Sequence, residues 1–197
     1  MAYIHGYSQR EMQRLYEQAE ILEEILHTGT LFPAGSRVLE AGCGVGAQTR
    51  LLVKRNPDAV FTCIDISEKS LAAARRLKEQ AGFEHVSFQK EDIHNLSFAD
   101  ETFDHVFVCF VLEHLDAPAA ALKELKRVLK KGGTITIIEG DHGSCFWHPQ
   151  TPESIAAWYG LIKAQQNIGH DPTIGRRLTP LLTEAGFRLQ SCRPAWL

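Results

Sequence analysis

The chain has no excess of positive charge. Lys and Arg number 21 against 24 Asp and Glu, a formal net charge of −3. That balance gives no electrostatic case for nucleic acid or an anionic membrane, which are met by clustered cations. No apolar run approaches the length of about 20 residues needed to span a bilayer. No C-x-x-C pair occurs among the five cysteines at 43, 63, 109, 145 and 192. Three of them fall in or beside apolar strand segments, where free cysteine packs as a small hydrophobe. Their number is odd and no signal peptide stands at the front, so a reducing cytoplasm is the expected compartment. His142 and His148 show no metal spacing, and no metal is expected. A length of 197 residues suits one domain with a real core.

What is present centres on Val38-Leu-Glu-Ala-Gly-Cys-Gly-Val-Gly46. An apolar strand runs into a glycine-rich turn, and Ala47 to Lys54 reads as a short helix. Strand, turn and helix make the first unit of a doubly wound α/β fold. Glycines let the backbone take positive φ and let a ligand approach without a Cβ in the way. The helix N-terminus behind them offers free N–H groups. Gly42, Gly44 and Ala47 fit the dinucleotide pattern G-x-G-x-x-G/A, while Gly42, Gly44 and Gly46 fit G-x-G-x-G. Glu40 separates the two, because a carboxylate two residues before the first glycine repels a pyrophosphate and suits a ligand that brings a cationic amine.

Glu40 to Gly46 resembles the E/D-x-G-x-G-x-G signature of class I S-adenosylmethionine-dependent methyltransferases, of the ubiquinone/menaquinone-biosynthesis-like kind (methyltransferase type 11/25 domain). The resemblance extends over roughly 36–192. It implies a Rossmann-like, mostly parallel sheet with helices on both faces, Glu40, Gly42, Cys43, Gly44 and Gly46 around the cofactor, and S-adenosyl-L-methionine as that cofactor.

A second apolar strand, Ala59 to Ile64, ends at Asp65. An acid at a strand end about 20 residues past the glycine turn accepts two hydrogen bonds from ribose hydroxyls, since a carboxylate is acceptor-only. The bland alternative is a loop acid near Ser67, the expected N-cap of a helix over Glu68–Gln80. Ile66 is a candidate cover for one adenine face. After the third strand, His85 to Lys90, the resemblance assigns Asp92 to the adenine amino group and the backbone of Ile93 to the ring.

The fourth strand, Asp104 to Cys109, is apolar throughout, as expected of a central strand. Phe110-Val-Leu-Glu-His-Leu115 follows and resembles the family's fourth motif. That likeness puts Cys109 and Phe110 on the cofactor's methionine part and Glu113 and His114 on the substrate side. His114 is the general-base candidate, since neutral imidazole takes a proton near pH 7; a histidine that caps or packs at the start of the next helix is the competing reading.

At the N-terminus, Ser8 to Glu11 reads as a capping box, with Tyr7 and Met12 as a hydrophobic staple. A helix is predicted from about Gln9 to His27, its apolar stripe running through Met12, Leu15, Ala19, Leu22 and Leu26. In many methyltransferases of this type the leading helix lies over the cofactor cleft, which makes Tyr7, Arg14 and Gln18 candidates to reach cofactor or substrate. The division expected is a cap helix and connector over 1–35 and the cofactor-binding domain over 36–197.

Asp116 and Pro118 start a further helix that ends at Gly132-Gly133. Lys123, Lys126, Arg127, Lys130 and Lys131 fit its solvated face and cationic end rather than a nucleic-acid patch. Thr134 to Glu139 is the fifth strand and Pro152 to Ile168 a helix capped by Thr151. Trp158 and Tyr159 are read as lid or core residues, and Arg176 and Arg177 as candidates for an acidic substrate. Phe187 to Cys192 is the expected sixth strand. The family's final antiparallel strand, which lies between strands 5 and 6, has no residues left before Leu197, so a fragment or pairing by a neighbouring chain is expected. The function implied is methyl transfer to a small-molecule acceptor by a monomer or homodimer. The alternatives are an NAD(P)-dependent oxidoreductase, which Ala47 permits and Glu40 opposes, and a non-catalytic S-adenosylmethionine-binding protein.

Overall fold

The computed structural model describes residues 9–194. Five strands form one sheet in the order β3-β2-β1-β4-β5. They are β1 (Arg37–Ala41), β2 (Val60–Asp65), β3 (Val86–Lys90), β4 (Phe103–Cys109) and β5 (Leu129–Ile138), and every neighbouring pair is parallel. Parallel neighbours need crossovers, and these are helical: α3 (Ala47–Arg55), α4 (Glu68–Ala81) and α5 (Pro118–Val128). The expected α/β doubly wound class is what forms.

Alternation along the strands divides the core between the two faces. Leu39, Ala41, Ile64, Val106 and Val108 pack with Leu122 and Leu125 of α5 on one face. Val38, Phe61, Cys63 and Phe107 pack with Leu52 of α3 and Leu71 and Ala74 of α4 on the other. Phe107, fully buried, is held between β1 and β5. Burying a side chain of its size contributes about 1.5–3 kcal/mol. α1 (Gln9–Ile21) and α2 (Glu23–Leu26) precede the sheet. α1 packs over α3 through Ala19, Leu15 and Tyr16, whose hydroxyl donates to the Val45 carbonyl at 2.8 Å.

Several boundaries depart from the sequence reading. The single helix expected over residues 9–27 is broken at Leu22, where a three-residue bond from Ile25 N–H to the Leu22 carbonyl tightens the turn. The capping box and staple, with Ser8 and Tyr7, lie outside the described residues. Asp116 is not the cap of α5: Ala117 takes that position, without a side-chain bond. α5 stops at Val128, ahead of Gly132-Gly133, because Leu129 is already extended and paired with Phe103. The two glycines instead form a bulge inside β5, where the pairing jumps from Phe103↔Leu129 to His105↔Thr134. A Cβ at Gly133 would sit 2.7 Å from the Asp104 carbonyl. Lys130 and Lys131 therefore belong to β5, where they pair with Asp104 and Glu101.

The sixth strand does not form. α6 (Pro152–Asn167) and α7 (Leu178–Glu184) follow β5, but residues 187–194 are irregular and mostly exposed. In the expected sheet that segment pairs only with the final antiparallel strand, and no such strand exists among the described residues. Phe187 alone is drawn in, packed against the α5 side of the core. β5 is accordingly the sheet edge.

Candidate active site

A cavity of about 490 Å³ lies at the carboxyl ends of β1, β2 and β4 and beneath α1. That is where open α/β sheets hold ligands, and the volume suits a small-molecule site. Its floor is the glycine turn. Gly42 has φ +79°, and a Cβ there would meet Val111 Cγ2 at 2.4 Å. Gly44 has φ +53° with no atom within 4 Å of an added Cβ, so its backbone is open to the cavity. Gly46, at φ +83°, starts α3 and faces Leu77 and Ala74 of α4.

Asp65 braces this turn. One carboxylate oxygen accepts from Gly44 N–H at 2.9 Å and the other from Ser67 N–H at 2.8 Å. Burial pushes its pKa up, against the pull of the Ser67, Gly44 and Ile66 amides. Each oxygen keeps a lone pair beyond these bonds. Asp92 is more exposed and accepts from His94 N–H at 2.9 Å; that amide, with the His94 ring, holds its carboxyl below the usual value.

Glu40 sits elsewhere than expected. It is 2% exposed, accepts from the Thr49 hydroxyl at 2.5 Å, and does not line the cavity. Burial pushes its pKa up to about 7 despite the bonds from Thr49 and the Cys63 thiol. Its place behind the turn removes the reason for reading it as a barrier to phosphate. Gly46 is likewise not on the lining. Gly42, Cys43, Gly44, Asp65, Ile66, Asp92, Ile93, Cys109, Phe110, Arg14, Gln18 and His114 are all brought to the cavity, while Tyr7 lies outside the described residues. Arg14 is bonded to Glu11 and Gln18 along α1. Burial raises the thiols of Cys43 and Cys109 well above their ordinary value, so they enter the site as neutral side chains.

The end of β4 is an unusual piece of backbone. Phe110 has φ +56°, in the left-handed region that non-glycine residues rarely adopt. Two bonds hold it. Phe110 N–H donates to the Ile138 carbonyl at 2.9 Å, and the Glu139 carboxyl accepts from Val111 and Leu112 N–H at 2.9 and 2.7 Å. Glu139 thereby caps the short 3-10 turn Leu112–His114, the turn that carries Glu113 and His114. Burial raises Glu139 to about 8, the amides opposing it. At neutral pH it is mostly a neutral acid.

Opposite the glycine turn, the cavity is lined by Glu113, His114, His142, Trp158, Gln165 and His170. Trp158 is anchored by its indole N–H on the His142 carbonyl at 2.8 Å, and Tyr159 is 61% exposed, so the two part company. Arg176 and Arg177 pair with Asp141 and Asp171 and do not line the cavity. His170, Gln165 and Glu139 were not singled out from sequence. Glu139 and His170 stand next to the glycines Gly140 and Gly169 at element ends, the one local signal that marks them.

A family model described as a methyltransferase domain matches residues 39–137, half of the chain. An uncharacterized methyltransferase of Schizosaccharomyces pombe is 36% identical over 161 residues, covering 77% of this chain and 56% of that protein. An O-methyltransferase of Pyrenophora dematioidea is 30% identical over 163 residues, covering 80% and 56%. The chain thus spans just over half the length of these curated relatives. A crystal structure of an S-adenosylmethionine-dependent methyltransferase from Aquifex aeolicus shares the fold, with a TM-score of 0.62 at 22% identity over 88% of this chain and 81% of that one. With a cavity at the strand ends of a doubly wound sheet and that span of matching sequence, the chain belongs to the methyltransferase-domain family, the class I S-adenosylmethionine-dependent methyltransferases.

Proposed function

We propose that the chain transfers the methyl group of S-adenosylmethionine to a small-molecule acceptor. The observation that carries this is one continuous cavity that reaches from the open backbone of Gly44 and the Asp65 carboxylate to the Glu113 and His114 side of the 3-10 turn. The residues fit the cofactor. Gly44 presents backbone with no Cβ in the way, Asp65 keeps lone pairs for two ribose hydroxyls, and Asp92 and Ile93 line the same cavity as the groups available to an adenine edge. When bound, S-adenosylmethionine supplies a methyl group on a sulfonium leaving group. The protein's part is to hold an acceptor in line with it, and such positioning supplies roughly 7–11 kcal/mol of a barrier. A net charge of −3 supports a small molecule over a nucleic acid as acceptor.

Calorimetric titration with S-adenosylmethionine and, separately, with NADH tests this reading. Binding of the first alone supports it, and binding of NADH alone overturns it. In Asp65→Asn one acceptor oxygen becomes an amide donor. At roughly 1.5–3 kcal/mol per bond to a charged group, the loss of ribose bonding should weaken Kd by about 10–100-fold.

A further inference from the structure

Three side chains opposite the glycine turn form a line. Glu113 Oε1 lies 3.6 Å from His114 Nε2. His114 Nδ1 lies 3.4 Å from His170 Nδ1, with the two rings edge to face at 4.9 Å between centroids. Glu113 and His114 are neighbours in sequence and His170 lies 56 residues on from His114; backbone ties the two segments, with Asp171 N–H donating to the Glu113 carbonyl at 2.8 Å and His170 N–H to the Gln165 carbonyl at 3.1 Å. His114 has neighbours on both ring nitrogens, so it is badly placed to take a proton from an acceptor itself.

One charge and one hydrogen bond favour a single pair of tautomers. The Glu113 carboxylate, 3.6 Å from His114 Nε2 and so beyond hydrogen-bond reach, favours the proton on that nitrogen and the lone pair on Nδ1. Two nitrogen lone pairs cannot face each other at 3.4 Å, so His170 carries its proton on Nδ1. The lone pair of His170 is then on Nε2, which has no hydrogen-bond partner among the described residues, on a side chain that lines the cavity.

We infer that His170 is the catalytic base of this site, with His114 and Glu113 as positioning residues behind it, and that the acceptor is a hydroxyl compound, a phenol or alcohol. The inference rests on the methyltransferase reading above. As the acceptor oxygen attacks the sulfonium methyl, the O–H bond breaks and its proton passes to His170 Nε2. An O–CH3 bond forms, the S–CH3 bond breaks, and the sulfonium leaves as a neutral thioether. The Nδ1 proton of His170 moves to His114 Nδ1, and His114 ends as the imidazolium beside the Glu113 carboxylate. Charge balances: the cationic sulfonium becomes neutral as His114 becomes cationic, and Glu113 stays ionised. A hydroxyl acceptor is favoured because it becomes a good nucleophile by losing a proton, whereas a neutral amine attacks without a base. Burial lowers the pKa of the His170 ring, which suits an unprotonated base, and raises that of the Glu113 carboxyl. The titratable groups around the line are Asp116 near His170 and His142 and Asp171 near Glu113.

Long-range 15N–1H NMR of the histidine rings at pH 7.5 tests the line without substrate. The expected result is His114 in the Nε2–H form and His170 in the Nδ1–H form. In His114→Phe, His170 should revert to the mixed, mainly Nε2–H pattern of a free imidazole. An Nε2–H His170 in the unmodified protein, or an Nδ1–H His170 that is unmoved in His114→Phe, overturns the inference. With catechol as the probe acceptor and S-adenosylhomocysteine as the measured product, His170→Ala should lower kcat by about 100–10,000-fold, with partial rescue by added imidazole and unchanged cofactor binding. Unchanged kcat in His170→Ala overturns it too. Failure of the protein to bind S-adenosylmethionine would instead sink the methyltransferase reading and leave the tautomer result standing.

Discussion

Gly42 and Gly44 lie two residues apart, both at positive φ, and alanine should act on them in different ways. At Gly42 two penalties add. An L-residue held in the left-handed region costs about 1–2 kcal/mol. The new Cβ also meets Val111 Cγ2 at 2.4 Å and Cγ1 at 2.9 Å, and overpacking a filled site costs about 1–3 kcal/mol more. Val111 cannot swing away freely, because its N–H is bonded to Glu139 and it follows the left-handed Phe110. Gly42→Ala should therefore lose about 2–5 kcal/mol, a large part of the roughly 5–15 kcal/mol that holds a domain together. At Gly44 only the φ penalty applies, so Gly44→Ala should lose about 1–2 kcal/mol while placing a methyl in the cavity where the cofactor approaches. Urea denaturation at a fixed pH and calorimetry with S-adenosylmethionine separate the two: the first variant mainly loses stability, the second mainly affinity. Gly42→Ala with Val111→Ala should recover more than the sum of the single effects, because contacting residues are not additive. A Gly42→Ala protein within about 1 kcal/mol of the parent, or a double variant that is merely additive, would refute the clash.

Two buried carboxyls set an uncommon pH dependence. The pKa values of Glu139 and Glu40 rise from an ordinary 4.5 to about 8 and about 7. Below 4.5 both states hold these protons; above it the unfolded chain has released them while the folded chain has not, so their contribution falls as pH rises to about 7–8 and is flat beyond. Glu139→Gln keeps an acceptor oxygen for Val111 and Leu112 and should flatten part of that slope in urea midpoints taken from pH 5 to 9; an unchanged slope counts against the assignment. Thr49→Val removes the donor to Glu40 and should lower stability by about 1–3 kcal/mol, with Thr49→Ser close to the parent in the same titration. His27 is fully buried, bonded to Gln48 at 2.8 Å and stacked on Phe107, and burial lowers its pKa. Its Cε1 proton resonance should titrate at lower pH than that of a free imidazole; because the unfolded histidine protonates first, its contribution to stability is lost as pH falls through about 6.5 and below.

The sheet, the turn and the strand-end acids were legible because their signals are local. Asp65 is at the end of its own strand, and the spacing of Gly42, Gly44 and Gly46 is visible in five residues. Glu40 shows the limit of such signals. Its position beside the glycines was read correctly, but the direction of its side chain was not, since that depends on Thr49 reaching back from α3 to bond it. The start of β5 failed for a similar reason. Leu129-Lys-Lys reads as the cationic end of a helix until Phe103 pairs with Leu129 and draws the chain into the sheet. Phe187 to Cys192 failed in the opposite sense, because an alternating segment becomes a strand only where a neighbour offers a ladder. The acceptor side was the least legible part. His114 was visible beside a recognisable motif, yet its two ring nitrogens acquire their roles from Glu113 next door and from His170, 56 residues away. A titratable side chain in sequence carries a pKa range and two possible tautomers. The tertiary partner chooses between them, so the proton path across this site is a property of the α6–α7 connection as much as of the β4 motif that first marks the place.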